Sequence, residues 1–248
     1  MALLEKRITD LVAENYVYAS VLHYFGIQFY QYSEQTLAQV CVRKGLNISQ
    51  ITKSLEAIQH QPAPPRDLMD LPIDLVIEYL RHTHYVFVKH NLPYMAKLIE
   101  DLPEEKTSQK NLARDLKMLF PLFVDDFIHH IHEEEATFFT YIYNLHKALQ
   151  GQMNPMKLYY QMEKSSIQFF ALDHHTHDDE MRGIREITNN YHLEKTDSLH
   201  LKVIFEELKA LEHNLQTHAK IEDEILFIKA LQLEKQVKAM LTEKIKWN

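Results

Sequence analysis

The chain has few of the residues that break or turn a backbone: 4 glycines and 8 prolines in 248 residues. Hairpins depend on tight turns rich in glycine and asparagine. That scarcity argues against a sheet protein and leaves long periodic segments to build the fold. A single cysteine, Cys41, excludes an intrachain disulfide framework. No apolar run reaches the roughly 18 residues that span a bilayer. The N-terminus carries acidic residues and lacks the basic start and long apolar core of a signal peptide. The formal charge is −8, with acids and bases mixed throughout, and no basic stripe suits nucleic acid. These absences predict a cytoplasmic protein with neither nucleic acid nor membrane as partner. What the chain has in excess is histidine: sixteen residues, most of them between positions 82 and 218.

The periodicity predicts an all-α fold: a small helical N-terminal domain over residues 1–60, a Pro-rich linker over 61–71 and a four-helix bundle over 72–248. In the first domain a helix is expected from Ile8 to Phe25, a second from Thr36 to Lys44 with Ser33 as its cap, and a third up to Ile58. Asn47 and Gln50 have the spacing of a capping box for that third helix. Gln61-Pro-Ala-Pro-Pro65 cannot continue a helix. Four long amphipathic segments follow. They run from about Pro72 to Leu102, Ser108 to Leu149, Pro155 to Asn189-Asn190, and Asp197-Ser198 to Leu231. A short tail helix is expected from Leu233 to Ile245.

Two copies of His-x-x-x-Glu lie on these segments, His130 with Glu134 and His218 with Glu222. Residues four apart share one helix face, so each pair presents an imidazole and a carboxylate together. His84 and His174 fall in the same rhythm: the steps from 84 to 130, 174 and 218 are 46, 44 and 44 residues. One histidine per helix and loop is the layout of a di-metal site inside a four-helix bundle.

Register selects among the crowded histidines. Phe123, Phe127, His130, Glu134, Phe138 and Tyr141 form one stripe, whereas His129 and Glu133 share a line with Asp126, Thr137 and Thr140. Leu208, Leu211, Leu215, His218, Glu222 and Ile225 form the matching stripe of the fourth segment. Ile167, Phe170, His174, Met181 and Ile184 favour His174 over His175. Ile73, Ile77, Leu80, His84 and Phe87 favour His84 over His82. A lone histidine on such a stripe is more simply a core residue satisfied by its neighbours. Four imidazoles and two carboxylates together are not, because a buried carboxylate normally neutralises or finds a cation. A pair of divalent metals supplies that charge, and the mixed donor set suits iron, manganese or zinc. His132 and His177 sit near these positions as either surface residues or supports for the ligands. The Glu133-Glu134-Glu135 run reads as a solvated face with Glu134 the exception.

These residues resemble the bacterial iron-centre repair family, whose main domain is hemerythrin-like. His130-x-x-x-Glu134-Glu135-x-x-Phe138-Phe139 is similar to its H-x-x-x-E-E-x-x-L-F motif. Asp173-His174 is similar to its E-H element, with Thr188-Asn189-Asn190 at the right distance, and His218-x-x-x-Glu222-x-x-x-Leu226-Phe227 to the closing motif. Leu92-Pro93, eight residues beyond His84, is similar to the end of the first motif. The resemblance implies a non-haem di-iron centre with four His and two bridging Glu ligands. It also implies restoration of iron–sulfur clusters damaged by nitric oxide or oxidants, with damaged iron–sulfur proteins and a diatomic ligand, nitric oxide or dioxygen, as partners.

Two departures stand out. The family's first motif often has a His-His doublet, and here it reads His84-Tyr85; the stripe selects His84, and alignment puts Tyr85 in that slot. The family's N-terminal Cys-Cys-Gly-Gly element reads Tyr30-Gln31-Tyr32-Ser33, although Gly26-Ile27 and Thr36-Leu37 around it are in place. Without thiolates, thiol chemistry is excluded there. The roles left to the module are homodimerisation or a lid. The alternative function is hemerythrin-like binding or sensing of dioxygen or nitric oxide without repair.

Overall fold

The computed structural model describes residues 3–58, 68–104, 111–164, 166–176 and 179–246; at 58, 155–157, 172–176 and 244–246 only the backbone is described. Ser108, His60, His177 and the stretch from Gln61 to Pro65 lie outside the described residues. The chain is all-α as expected, and among the described residues the only extended pairing is one isolated bridge, Arg7 with Thr36. No described helix is long and apolar enough to cross a membrane.

The first expected helix is two. Helix α1 (Ile8–Glu14) ends at Asn15, whose extended backbone and side-chain Oδ1, accepting from the Val17 amide at 3.1 Å, turn the chain into α2 (Tyr18–Tyr24). Helix α3 (Leu37–Lys44) is capped by Thr36 rather than Ser33. Thr36 and Gln39 form a reciprocal capping box, and the Ser33 carbonyl instead accepts from the Thr9 hydroxyl. Gly45, with φ of 65°, closes α3 in the left-handed region. Asn47 caps α4 (Ile48–Ile58) through the Gln50 amide.

The long segments are continuous helices interrupted by π turns. The first joins α5 (Ile73–Val86) to α6 (Leu92–Glu100) through a π turn at Phe87–Asn91. The second joins α7 (Leu112–Glu134) to α8 (Thr140–Leu149) through Glu135–Phe139. The third expected helix is instead three, α9 (Pro155–Lys164), α10 (Ile167–Thr176) and α11 (Arg182–Ile187). Ser166 restarts the chain by accepting from the Phe169 amide. Past α11, Asn189, Asn190 and Tyr191 all have positive φ, which no helix continues. The last segment joins α12 (Leu199–Ile221) to α13 (Phe227–Lys246) through Glu222–Leu226, and the tail helix expected on its own is part of α13.

By contact density the chain forms two compact units. One gathers Met1–Pro64, Asn91–Phe120 and Ile184–Leu211. Its core includes Ile8, Leu11, Leu22, Leu37, Cys41, Leu55, Leu116, Phe120 and Phe205. In it the buried His200 donates from Nε2 to the Leu98 carbonyl at 2.9 Å and stacks on Tyr30, with ring centres 4.3 Å apart. The Tyr30 hydroxyl donates to Asp101 at 2.6 Å. The other unit gathers Pro65–His90, Pro121–Gly183 and Glu212–Asn248. Its core joins Val76, Leu80, Phe138, Phe139, Tyr141, Leu145, Leu226, Ala230 and Val237. Within it, α13 packs on α8 and α10. There the buried Glu234 accepts from the Tyr141 hydroxyl at 2.6 Å and from the Ile167 amide, the first of α10, at 3.2 Å.

Candidate metal centre

The second unit brings four of the expected side chains together. His84, Glu134, His218 and Glu222 are all buried, and each offers one ligand atom lying within 4.8 Å of the others. His84 comes from α5, Glu134 from the end of α7, His218 from α12, and Glu222 opens the third π turn. Tyr85, the rival of His84, is 55% exposed. His130 lies one turn before Glu134 and is half-buried on the wall of a cavity that Glu134 also lines. Helix α10 carries His174 and His175, but their side chains lie outside the described residues. His82 and His132 are exposed.

The three π turns adjoin the site: one begins three residues after His84, one directly after Glu134, and one at Glu222 itself. In an α-helix each four-residue step overshoots a full turn by about 40°. Glu222, Leu226, Ala230 and Glu234 are nevertheless all buried at successive four-residue steps. The wider π turn absorbs the drift and keeps Glu222 and the following core residues on one face. It also shifts the expected stripe: Leu226 is fully buried, and Ile225 only partly.

Two bonds on the outer side of the cluster fix its protons. The His218 Nδ1 lies 2.8 Å from the Thr83 hydroxyl, whose own proton goes to the Leu80 carbonyl at 2.6 Å. Thr83 therefore accepts, and His218 carries its proton on Nδ1. The His84 Nδ1 lies 2.8 Å from Glu135 Oε1, which as a carboxylate only accepts, so His84 too is protonated at Nδ1. Both Nε2 atoms then face inward, 2.9 Å from each other. Glu222 Oε1 lies 2.9 Å from the His218 Nε2, and Glu134 Oε2 lies 3.4 Å from the His84 Nε2. Neither oxygen of Glu134 has a hydrogen-bond donor. Four ligand atoms thus converge beside Phe139, stacked on His84, and Phe87, edge-on to His218.

The titrations follow from this crowding. Burial, reinforced by the positive charge His218 would carry, pushes His84 down to about 4 against the opposing pull of Glu135 and Glu222. Burial and then the charge of Glu222 hold Glu134 well above the usual carboxylate range. At neutral pH burial therefore holds His84 uncharged. Converging imidazole nitrogens and carboxylate oxygens, both imidazoles oriented from behind, match the donor chemistry of a divalent first-row metal. The residues present fit such an ion.

Sequence reasoning missed Thr83 and misread Glu135. Thr83 sits on the apolar line of Val76, Leu80 and Phe87, and a hydroxyl on that line was its signal. Glu135 belongs to the expected solvated run, yet it is only 33% exposed and holds His84, with the Arg81 guanidinium 3.8 Å from its other oxygen. It opens a π turn, and nothing in the periodicity marks that. Cys41 is fully buried, and burial raises its thiol above the ordinary value.

Fold and site define an all-α protein with a buried His/Glu group able to hold metal. No protein-family model matches the chain. It is similar, at 24% identity over 208 residues, to the iron-sulfur cluster repair protein YtfE of Pectobacterium atrosepticum; the match covers 81% of this chain and 85% of that protein. This is a distant likeness to a repair protein along most of both chains.

Proposed function

We propose that this chain is a non-haem di-iron protein that takes part in restoring iron–sulfur centres under nitrosative or oxidative stress. The observation that carries the metal part is the convergence of His84, Glu134, His218 and Glu222 with their donor protons turned outward. His130, on the cavity wall beside Glu134, and His174, on α10, would complete the proposed ligand set with the four converging residues. Manganese or zinc suits the same donors. Bound iron would supply redox capacity and an open position for nitric oxide or dioxygen. Glu135 and Thr83 orient the two imidazoles, and burial holds His84 neutral. The repair part is supported by the distant likeness to a protein named for that activity. Damaged iron–sulfur proteins are its proposed clients.

One observation favours a second reading, binding or sensing of a diatomic ligand without repair. Where the resembling family has its cysteine pair, Tyr30 is tied to Asp101 and His200, and the one thiol of the chain, Cys41, is buried. The N-terminal segment has no accessible thiolate to offer. The two readings separate in an assay on a nitric-oxide-damaged iron–sulfur enzyme, with Cys41→Ser beside the wild type. Repair that persists in both supports metal-centred repair. No repair by either, with reversible diatomic binding to the reduced protein, selects the second reading.

A further inference from the structure

A cavity of about 960 Å³ in the second unit is lined by Glu134 and by exposed residues of α7. On one wall α7 presents two His-x-x-x-Glu pairs offset by one residue. The inner pair is His130 and Glu134. The outer is His129 and Glu133, 3.9 Å apart, with side chains 83% and 65% exposed. Asp126, one turn before His130, lines the cavity as well. Among the described residues the lining holds five carboxylates and one guanidinium. Glu134, only 8% exposed and with no nitrogen donor on either oxygen, lines it too. An acidic rim alone would be a solvated face. An acidic rim on the same cavity as a buried carboxyl of the metal cluster offers a path for a cation.

We propose that His129, Glu133 and Asp126 form an outer docking station for a divalent metal, which is handed through this cavity to His130 and Glu134. The inference rests on the metal reading of the buried cluster. A cleft of one charge sign raises the local concentration and on-rate of the opposite ion by about 10- to 1,000-fold. An imidazole and a carboxylate one turn apart hold a cation briefly, and their exposure leaves room for water to complete its shell. The buried site alone would present a divalent ion with a buried, crowded pocket. The outer pair lets the ion exchange waters for protein donors in steps.

The test is stopped-flow loading of metal-stripped, full-length protein with cobalt(II), followed by its visible absorption, with the final metal content measured separately. The double variant His129→Ala/Glu133→Gln should load at least about tenfold more slowly at low ionic strength and reach the same stoichiometry. Asp126→Asn should fall between, and the gap to wild type should shrink in high salt. All three residues are exposed, so folding is not at stake, and circular dichroism verifies it. Loading of the double variant at the wild-type rate overturns the docking station and leaves the buried site standing. Loss of stoichiometry in the double variant also overturns it, by making the outer pair ligands. A wild type that takes up no cobalt overturns the metal reading itself and this inference with it.

Discussion

At His84 and His218 the proton on Nδ1 decides what the rest of each ring can bind. Glu135 and Thr83 hold those protons, and partners of this kind typically contribute 10- to 100-fold to metal affinity. Glu135→Gln and Thr83→Val should each weaken metal binding by about that factor without unfolding the chain, in a competition titration against a chromophoric chelator. His84→Ala should lose most of the metal and Tyr85→Phe should keep it. Metal kept in His84→Ala and lost in Tyr85→Phe would mean that the exposed Tyr85, not the buried His84, supplies the ligand. That His84, Glu134, His218 and Glu222 point inward was legible, because a 3.6-residue period orders them on apolar stripes. The roles of Thr83 and Glu135 were not. Each follows from a partner on another helix, and a single helix's periodicity carries no record of that.

Among the elements, the π turns and the breaks in the third segment separate what sequence could and could not supply. Extended apolar periodicity located the long helices, but an inserted residue looks like an ordinary four-residue step until burial is known. The split at Ser166 and the stop at Asn189 to Tyr191 depend on caps and left-handed residues that a stripe through Ile167, Met181 and Ile184 overrides on paper. Helix α10 begins where Glu234 of α13 accepts from the Ile167 amide and from Tyr141. Glu234→Ala would leave both donors buried and unanswered, and should cost about 2–3 kcal/mol in denaturant unfolding. Glu234→Gln, which keeps the acceptor, should cost less. A change under about 0.5 kcal/mol in the alanine variant would mean that water replaces the carboxylate and that α10 is anchored otherwise.

For the whole molecule, stability should depend on both pH and metal. Burial raises the Glu207 carboxyl to about 7 from an ordinary 4.5. The folded state therefore keeps a proton that the unfolded state has lost. That contribution is fully present below about pH 4.5 and is lost as pH rises through 7. Glu207→Gln should match the wild type near pH 4.5 and exceed it by about 2–3 kcal/mol at pH 8. A difference independent of pH would mean that Glu207 titrates normally. Metal acts through the other unit. Saturation at about 100 times the dissociation constant should add roughly 2.7 kcal/mol, because the converging lone pairs are then neutralised. Thermal stability unchanged by stripping would contradict a buried site.

The measurement that bears hardest on the metal reading is elemental analysis of the full-length protein, purified anaerobically from iron-replete cells and reconstituted after stripping. Two iron ions per wild-type chain, and little in Glu134→Ala, is the result that the proposed six-ligand site predicts. No more than trace metal in the reconstituted wild type would contradict it.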